Sequence, residues 1–386
     1  MTEALVPFHV PDIGRGEEQA VLETLRSGWL TTGSRVQEFE RRFAERVGAR
    51  HAVAVSSCTA ALHLALEAAG VSAGDEVIVP TWTFAATAEV VVYQGAKPVL
   101  VDIDPKTLNV TAPTIEAAIT DRTRAVIPVH FGGQPCDMTA IGRVALDRGL
   151  TVVEDAAHAF PAQWDGQPIG SIGDFTCFSF YPTKNITTGE GGMITVRDEA
   201  AADQVRMVSL HGISKDAWKR YAAGGSWYYQ IRRLGYKYNM TDLTAAIGIE
   251  QLKRLDSFCD ARQRHVRRYE AALAEIPEVS RPCVLPGVDH AWHLYVILLE
   301  LDLLRIDRNR FIELLTERGI GTSVHFIPLH LHEYYQKNWG YSVADFPHAS
   351  QIYERTISLP LYPMMPASDV DRVIDAIAGI VDENRA

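Results

Sequence analysis

The sequence predicts an α/β fold built around a mainly parallel sheet of seven strands. Seven short, almost continuously apolar segments recur between residues 51 and 200, and amphipathic helical segments fall between several of them. Strands covered by helices on both faces are apolar throughout, whereas strands with one hydrated face alternate between apolar and polar residues. The chain has 386 residues, of which 47 % are apolar, and this is enough for two domains with hydrophobic cores.

The strands and helices of this first part follow one another in chain order. The strand candidates are HAVAVSS, DEVIVP, KPVLVDID, RAVIPVHF, LTVVEDAA, DFTCFSFY and GGMITV. The segments TAALHLALEAAG and MTAIGRVALDRG have the apolar spacing of helices that cover a sheet. Ligands of open α/β sheets bind at the carboxyl ends of the strands, so this edge is where we expect a functional site.

A smaller α+β domain is predicted in the C-terminal part of the chain. A long helical pattern runs from about Thr241 to Glu275. After it, AWHLYVILLEL and GTSVHFI indicate strands and RNRFIELLTERG a helix, and DVDRVIDAIAGIVDENR indicates a last helix that Ser368 introduces. We place the domain boundary near residue 255. Residues 1–255 would form the large domain and residues 256–386 the small one, and the N-terminal segment is a candidate to pack on the small domain.

Charge and cysteine content narrow the function classes. A net charge of -11 argues against nucleic acid or an anionic membrane as the main partner. The sequence contains no apolar run of about 18 residues, and its start, MTEALVPFHVPDIG, does not resemble a signal peptide. We therefore expect a cytoplasmic protein. Five scattered cysteines without a C-x-x-C pair fit a reducing compartment and argue against a disulfide framework or a zinc ribbon.

The first candidate for chemistry is the junction Val55-Ser56-Ser57-Cys58-Thr59, where an apolar strand runs into a helix. Free backbone N–H groups and the dipole at a helix N-terminus form an anion site, to which the Thr59 hydroxyl could add a donor. An ordinary Ser/Thr helix cap explains the same residues.

The second candidate is Asp155 with His158, at the end of the strand LTVVEDAA. A carboxylate at this edge can keep a pyridine nitrogen protonated, which makes the ring an electron sink. His158 could reach a ring substituent such as a phenolic oxygen. Read separately, Asp155 is equally well a helix cap and His158 a core imidazole.

The third candidate is Lys184, which follows an aromatic strand and precedes a polar, glycine-rich turn in FSFYPTKNITTGEGGM. A lysine desolvated by such surroundings has a lowered pKa and becomes an amine nucleophile. Ser179, five residues earlier, could reach a phosphate. A surface lysine at the end of a strand is the plain alternative.

Two further segments are candidates for substrate contacts. His325, His330 and a third histidine lie within eight residues, but no carboxylate or cysteine at close spacing completes a metal site. The run Ser226-Trp227-Tyr228-Tyr229, which two arginines follow, could bind a diphosphate or a base, and packing on a partner subunit is equally compatible with it. Tyr229 is the residue of this run that we expect to contact substrate.

Taken together, these segments resemble the DegT/DnrJ/EryC1/StrS family of sugar aminotransferases, which have the fold type I of pyridoxal-phosphate (PLP)-dependent transferases. The likeness covers nearly the whole chain. It is carried by SGWLTTGSRVQEFE, SSCTAALHLAL, the stretch from Pro80 to Asp104, EDAAHA, FSFYPTKNITTGEGGM, GYKYNMTDLTAAIG and HFIPLHLHEYY.

The resemblance implies the chemical roles of three residues. Lys184 would bind PLP as a Schiff base and later carry a proton between substrate and cofactor. Asp155 would pair with the pyridine nitrogen, and His158 would lie near the phenolic oxygen. Family members that are dehydratases have histidine in place of the lysine, so Lys184 favours aminotransfer.

The resemblance also implies the remaining cofactor contacts. Phe84 would stack on the ring, while the Cys58 backbone, Thr59 and Ser179 would hold the phosphate. Asn239 would reach the phosphate from the neighbouring subunit, which predicts a homodimer. His325 and His330 would contact substrate.

The expected reaction moves an amino group from L-glutamate to a keto group of a nucleotide-linked deoxysugar, such as a dTDP- or UDP-4-keto-6-deoxyhexose. The form GYKYNMTD favours position C4 over C3. A keto-cyclitol or another non-nucleotide acceptor is one alternative, and a non-catalytic PLP-binding regulatory protein is another. An oxidoreductase is disfavoured because neither G-x-G-x-x-G after a strand nor a Walker motif occurs.

Overall fold

A computed structural model describes residues 5–214 and 228–386. Its strands are β1 (His51–Val55), β2 (Glu76–Pro80), β3 (Lys97–Val101), β4 (Thr123–Val126), β5 (Thr151–Asp155), β6 (Gln163–Trp164), β7 (Gln167–Pro168), β8 (Phe175–Ser179), β9 (Gly192–Val196), β10 (Val279–Ser280), β11 (Val288–Asp289), β12 (Tyr295–Leu299) and β13 (Thr356–Leu359). Its α-helices are α1 (Arg15–Ser27), α2 (Ser34–Val47), α3 (Cys58–Ala68), α4 (Ala85–Tyr93), α5 (Ala112–Ala117), α6 (Met138–Arg148), α7 (Glu199–Val208), α8 (Asp242–Leu273), α9 (Arg308–Glu317), α10 (Glu333–Trp339), α11 (Pro347–Tyr353) and α12 (Ala367–Asn384).

The central sheet has seven strands in the order β1-β9-β8-β5-β4-β2-β3. Strand β9 runs antiparallel to both of its neighbours, and the other adjacent pairs are parallel. Each of the seven segments predicted from apolar runs overlaps one of these strands. The predicted α/β fold with a mainly parallel seven-stranded sheet is therefore confirmed.

Helices cover both faces of this sheet, which explains why its strands lack apolar-polar alternation. Successive residues of a strand point to opposite faces. In β2, Val77 and Val79 belong to a core that includes residues of α3, α4 and α7, whereas Ile78 belongs to a core with residues of α2, α6 and α8. Every residue from Ala60 to Leu66 in α3 is buried, as expected for a helix packed between the sheet and other helices.

The C-terminal part has its own sheet, β10-β12-β13, with α9 and α12 packed around a third apolar core. Val6 of the N-terminal segment belongs to this core and exchanges two backbone hydrogen bonds with Gly319 and Gly321. Helix α8 runs without interruption through residue 255: Leu255 lies in the second core and Val266 in the third. The boundary between residues 1–255 and 256–386 stays a prediction.

Two local predictions in this part were wrong. The segment GTSVHFI is not a strand, and only Ser323 forms an isolated bridge, to Ser358. Of its apolar side chains, Phe326 lines the cleft described below, whereas Ile327 is 45 % exposed. Helix α12 begins at Ala367 after Pro366, so Ser368 lies within the first turn and does not cap the helix. Within the described residues, no helix is long and apolar enough to cross a lipid bilayer.

Candidate active site

A cleft of about 440 Å³ opens at the carboxyl ends of the parallel strands, where the sequence placed the functional site. Strands β5 and β8 end at its floor, and the N-terminus of α3 and the segment before α4 form its walls. We call it the Lys184 cleft. The predicted site residues that line it are Cys58, Thr59, Phe84, Asp155, His158, Ser179, Lys184 and His325.

Lys184 lies in the turn that follows β8, where its backbone N–H donates to the Tyr181 carbonyl at 2.9 Å. Burial lowers the pKa of its amine from about 10.5 to about 8, although the nearby Cys58 and Asp155 act in the opposite direction. Near neutral pH a sizeable fraction of this amine is therefore unprotonated, which is the form that attacks a carbonyl carbon.

Asp155 ends strand β5 on the floor of the cleft and is 6 % exposed. Thr87 Oγ1 donates to its Oδ2 at 2.8 Å, and the Ala157 backbone N–H donates to its Oδ1 at 3.1 Å. Burial raises the pKa of the carboxyl, and these two hydrogen bonds together with the charge of Lys184 oppose that rise. The carboxyl group is thus held in one orientation while it still faces the cleft.

The proton on His158 can be placed from one hydrogen bond. The Gly132 backbone N–H lies 3.3 Å from Nδ1 and can only donate, so Nδ1 is the acceptor and the neutral ring carries its proton on Nε2. Burial and the charge of Lys184 hold the pKa of His158 well below its usual range. The ring stacks on Phe326 with centroids 5.7 Å apart and touches the His293 ring at 4.4 Å. His158 is therefore a fixed, neutral hydrogen-bond donor.

The N-terminus of α3 forms an anion site beside Lys184. Ser57 caps the helix by accepting the Ala60 N–H at 3.1 Å, while the N–H groups of Cys58 and Thr59 have no partner inside the helix. A Cβ on Gly192 would lie 2.5 Å from the Ser57 carbonyl, so only glycine allows β9 to approach this peptide so closely. This contact explains one glycine of the TTGEGGM turn. Burial raises the pKa of the Cys58 thiol, so its side chain adds no negative charge.

The structure places two predicted substrate residues outside the cleft lining. His330 is fully buried, its ring nitrogens lie 2.8 Å from Thr81 Oγ1 and 2.9 Å from Ser350 Oγ, and it stacks on Phe346. These contacts join two segments of the core, and the substrate role of His330 stays a prediction. Tyr229 is 43 % exposed and is not among the described residues that line the cleft. The first two residues of the Ser226–Tyr229 run, Ser226 and Trp227, lie outside the described residues.

Asn239 also lies away from the cleft of its own chain. It forms an antiparallel bridge with Val55, and its Nδ2 donates to Thr32 Oγ1 at 2.8 Å. With Thr32 and Trp29 it lines a separate surface cavity of about 580 Å³. Among the described residues, Asn239 is therefore not part of the lining of the Lys184 cleft.

The sequence analysis missed Thr87, Thr83 and Gly132. The two threonines are four residues apart in PTWTFAAT, the spacing of neighbours on one helix face, and this was the available signal. Gly132 contributes through its backbone N–H, which no sequence pattern announces.

The described residues fit PLP. The cleft is within the volume range of cofactor sites and combines an amine of lowered pKa, a helix N-terminus suited to a phosphate and a buried carboxylate in one lining. Phe84 at the cleft is 63 % exposed, so its ring is available for stacking on a planar ligand. Such a site on a seven-stranded, mainly parallel sheet defines a PLP-dependent aminotransferase.

Comparison with known proteins gives the family. The chain belongs to the DegT/DnrJ/EryC1/StrS aminotransferase family, whose sequence profile matches residues 11–378. The spore coat polysaccharide biosynthesis protein SpsC of Bacillus subtilis (strain 168) is 55 % identical over 97 % of both chains. The chain is an aminotransferase of this family and uses PLP.

Two solved structures are similar along nearly the whole chain. Spr1654 from Streptococcus pneumoniae in its PLP form has a TM-score of 0.91 and 35 % identity, covering 98 % of this chain and 99 % of that one. The aminotransferase TlmJ from Streptoalloteichus hindustanus has a TM-score of 0.91 and 33 % identity, covering 98 % of this chain and 100 % of that one. They confirm the fold type I architecture expected from the resemblance.

Proposed function

We propose that this protein transfers an amino group from L-glutamate to the C4 keto group of a nucleotide-linked keto-deoxysugar. The observation that carries the proposal is the unblocked amine of lowered pKa at Lys184, placed in one cleft with the Asp155 carboxylate and a helix N-terminus. The preference for C4 rests on the GYKYNMTD segment. The name of SpsC, which refers to polysaccharide biosynthesis, supports a sugar acceptor.

Each cofactor contact has a physical basis in the cleft. The N–H groups of Cys58 and Thr59, with the hydroxyls of Thr59 and Ser179, would hold the phosphate. Asp155 would accept a hydrogen bond from the protonated ring nitrogen. His158 would donate from Nε2 to the phenolic oxygen. PLP, when bound, supplies an electron sink for the carbon that loses or gains a proton.

Lys184 is the general base and acid of this proposal. In the first half-reaction it would move a proton from the carbon of the amino donor toward the cofactor, and in the second it would deliver a proton to the carbon of the acceptor. A group that both takes and gives protons works best when its pKa lies near the working pH, and burial brings the pKa of Lys184 to about 8. The exposed ring of Phe84 would cover the cofactor and exclude water from this transfer.

His325 is the substrate residue that the structure supports. It lines the cleft, and its Nδ1 is 2.9 Å from Ser358 Oγ, which fixes the ring and leaves Nε2 for a ligand. Burial lowers the pKa of His325 to about 4, so the ring is neutral near pH 7 and can form a hydrogen bond to a sugar hydroxyl. Tyr229 remains a proposed contact, from either subunit.

We also propose a homodimer in which Asn239 of the partner subunit contacts the phosphate. The support is its position at the surface cavity, away from the cleft of its own chain. Mixing inactive Lys184→Ala subunits with Asn239→Ala subunits tests this. With shared sites, about one quarter of the sites regain both residues. If Asn239 acts within its own chain, mixing restores nothing.

The reaction itself is tested on the purified, PLP-loaded protein. L-Glutamate should bleach the visible absorption band of the lysine-bound cofactor. A panel of nucleotide-linked 4-keto-6-deoxysugars, their 3-keto isomers and a keto-cyclitol should then restore the band, and NMR of the product locates the new amine. Restoration by the 4-keto sugars is expected. Restoration by the 3-keto isomers alone would contradict C4 transfer, and restoration by the cyclitol alone would contradict the sugar-nucleotide acceptor.

A further inference from the structure

Two buried hydroxyl groups connect helix α4 to the carboxylate of Asp155. Thr87 Oγ1 donates to Asp155 Oδ2 at 2.8 Å, and Thr83 Oγ1 lies 2.7 Å from Thr87 Oγ1. Both threonines are almost fully buried. A hydroxyl carries one proton, and that of Thr87 is used on the carboxylate, so Thr83 must be the donor in the second bond. Both protons therefore point toward Asp155.

We propose that Thr87, supported by Thr83, is a positioning residue that holds Asp155 ionised and oriented toward the cofactor. The inference rests on the proposed contact between Asp155 and the cofactor ring nitrogen and extends it by two residues. Hydrogen bonds in a chain polarise one another, and in a buried site they are stronger than in water. The Thr83–Thr87 pair thus stabilises the charged form more than a single hydroxyl would.

The orientation of the carboxyl plane follows from two donors on different elements. Thr87 on α4 holds Oδ2, and the backbone N–H of Ala157, just after β5, holds Oδ1. With both donors in place the terminal torsion of Asp155 is fixed. Without Thr87 only the local contact remains, and the carboxyl group can turn away from the cleft.

The ionisation of Asp155 depends on the same contact. Burial raises the pKa of its carboxyl, and the hydrogen bond from Thr87 is the strongest influence that lowers it. The Ala157 N–H also lowers it through a direct hydrogen bond to Oδ1, whereas Lys184 after β8 and His130 after β4 lower it through space. The thiols of Cys58 and Cys177 lie on the neighbouring α3 and β8. Only the hydroxyl acts directly on Oδ2, where a ring nitrogen would be met.

The test uses Thr87→Val, which keeps the shape of the side chain and removes its donor. The cofactor-free protein is titrated with PLP, and the absorbance of the loaded protein is followed against pH. We expect PLP affinity to fall about 10-fold, because a carboxyl group that is less well oriented and less fully ionised pairs less strongly with the ring nitrogen. The acid-side spectral transition should move to higher pH, because loss of the donor raises the pKa of Asp155.

Controls separate positioning from folding. Thr87→Ser restores the hydroxyl and should behave like the wild type. Thr195→Val removes another buried hydroxyl, which donates to the Gly170 carbonyl in the sheet, and should leave affinity and pH profile unchanged. Thr83→Val should change PLP affinity and the pH of the spectral transition in the same direction as Thr87→Val, but by less. If Thr87→Val does not fold, Thr83→Val still tests the hydrogen bonds that lead from Thr83 through Thr87 to Asp155.

Asp155→Asn distinguishes a failure of the positioning role of Thr87 from a failure of the proposed contact between Asp155 and the cofactor. If it weakens PLP binding while Thr87→Val matches Thr195→Val, the positioning role is wrong and the role of Asp155 stands. If Asp155→Asn has no effect either, both are wrong. Neither readout uses L-glutamate or a sugar, so the proposed reaction is tested separately.

Discussion

Two adjacent carboxylates on β5 show how differently one sheet can use a buried acid. Glu154 receives three hydrogen bonds, from His130 Nε2 at 2.8 Å and from Gly173 N and Thr176 Oγ1, both at 2.7 Å. Asp155, one residue on and on the opposite face, receives two and borders a cleft. A carboxylate offers about four acceptor positions, so Asp155 keeps more of its capacity for a ligand.

The difference teaches that burial alone does not identify a functional acid. The His130–Glu154 pair is fully buried, and His130 Nδ1 accepts the Cys136 N–H, so the proton on Nε2 points at Glu154. All hydrogen-bond partners of Glu154 that the structure describes are groups of the protein itself. The Lys184 cleft contains a carboxylate and an amine whose remaining hydrogen-bonding capacity is open to a ligand. The predictions below test this contrast.

Replacing Lys184 by alanine should have the largest effect. Turnover is expected to fall by about 10²- to 10⁴-fold, because the group that moves the proton is gone. Thermal unfolding of the cofactor-free protein should be nearly unchanged, since the amine faces the cleft. Assays with L-glutamate and the best acceptor measure it, and undiminished turnover would remove Lys184 from the mechanism.

Exchanging each acid of β5 for its amide should separate stability from activity. In Glu154→Gln the new NH₂ group would oppose the proton of His130, and a buried clash of donors costs about 1–3 kcal/mol. Asp155→Asn should cost less than 1 kcal/mol because its neighbours are hydroxyl and backbone groups, but it should lower turnover strongly. Urea unfolding and turnover of both variants give the comparison. If Glu154→Gln and Asp155→Asn lost the same amount of stability, the proposed difference between the two acids would be wrong.

The pH dependence of Lys184 tests the electrostatics of the cleft. In the cofactor-free protein, a small acylating reagent that reacts with amines should label Lys184. The rate of labelling should reach half of its maximum near pH 8, because burial lowers the pKa of Lys184 from about 10.5 to about 8. The neutral amine is the reactive form, so the rate rises as pH increases through this value. Peptide mapping after labelling at several pH values measures it. A midpoint near pH 10 would show a solvated lysine.

The histidines His325 and His330 should differ as Asp155 and Glu154 do: replacement of one should mainly affect the reaction, and replacement of the other mainly stability. His330→Leu removes the bonds to Thr81 and Ser350 and should cost about 1–3 kcal/mol of stability with little change in KM. His325→Leu should raise the KM for the sugar acceptor and destabilise less. Unfolding curves and steady-state kinetics test this. A raised acceptor KM in His330→Leu would return that residue to the substrate site.

Cys58→Ala should have the smallest effect on the cleft. Its backbone N–H, and not its thiol, is the proposed phosphate donor, so PLP affinity should change by less than about 0.5 kcal/mol. Thr59→Val, which removes a proposed hydroxyl donor, is the matched comparison and should weaken PLP more. Titration of the cofactor-free variants measures both. A large loss in Cys58→Ala would mean that the side chain itself contributes.

Much of the fold could be predicted because its signals are local. Continuous apolar runs marked all seven strands of the central sheet, and period-3.6 patterns marked helices such as α3, α6 and α8. The strand prediction for GTSVHFI failed because an apolar run does not decide backbone pairing: only Ser323 forms a bridge, and Phe326 lines the cleft. The eight predicted site residues that line the cleft belong to sequence motifs. These motifs could be recognised because they follow one another in a fixed order along the chain.

What the sequence determined by itself is therefore the sheet, the family and the chemical groups at Lys184, Asp155 and His158. Which groups remain available to a ligand was decided only by tertiary structure. Thr87, Gly132 and the partners of His330 act through contacts between residues far apart in sequence. Hydrogen bonding and desolvation depend on what surrounds a side chain in space, and for that reason two neighbouring acids of one strand have different partners.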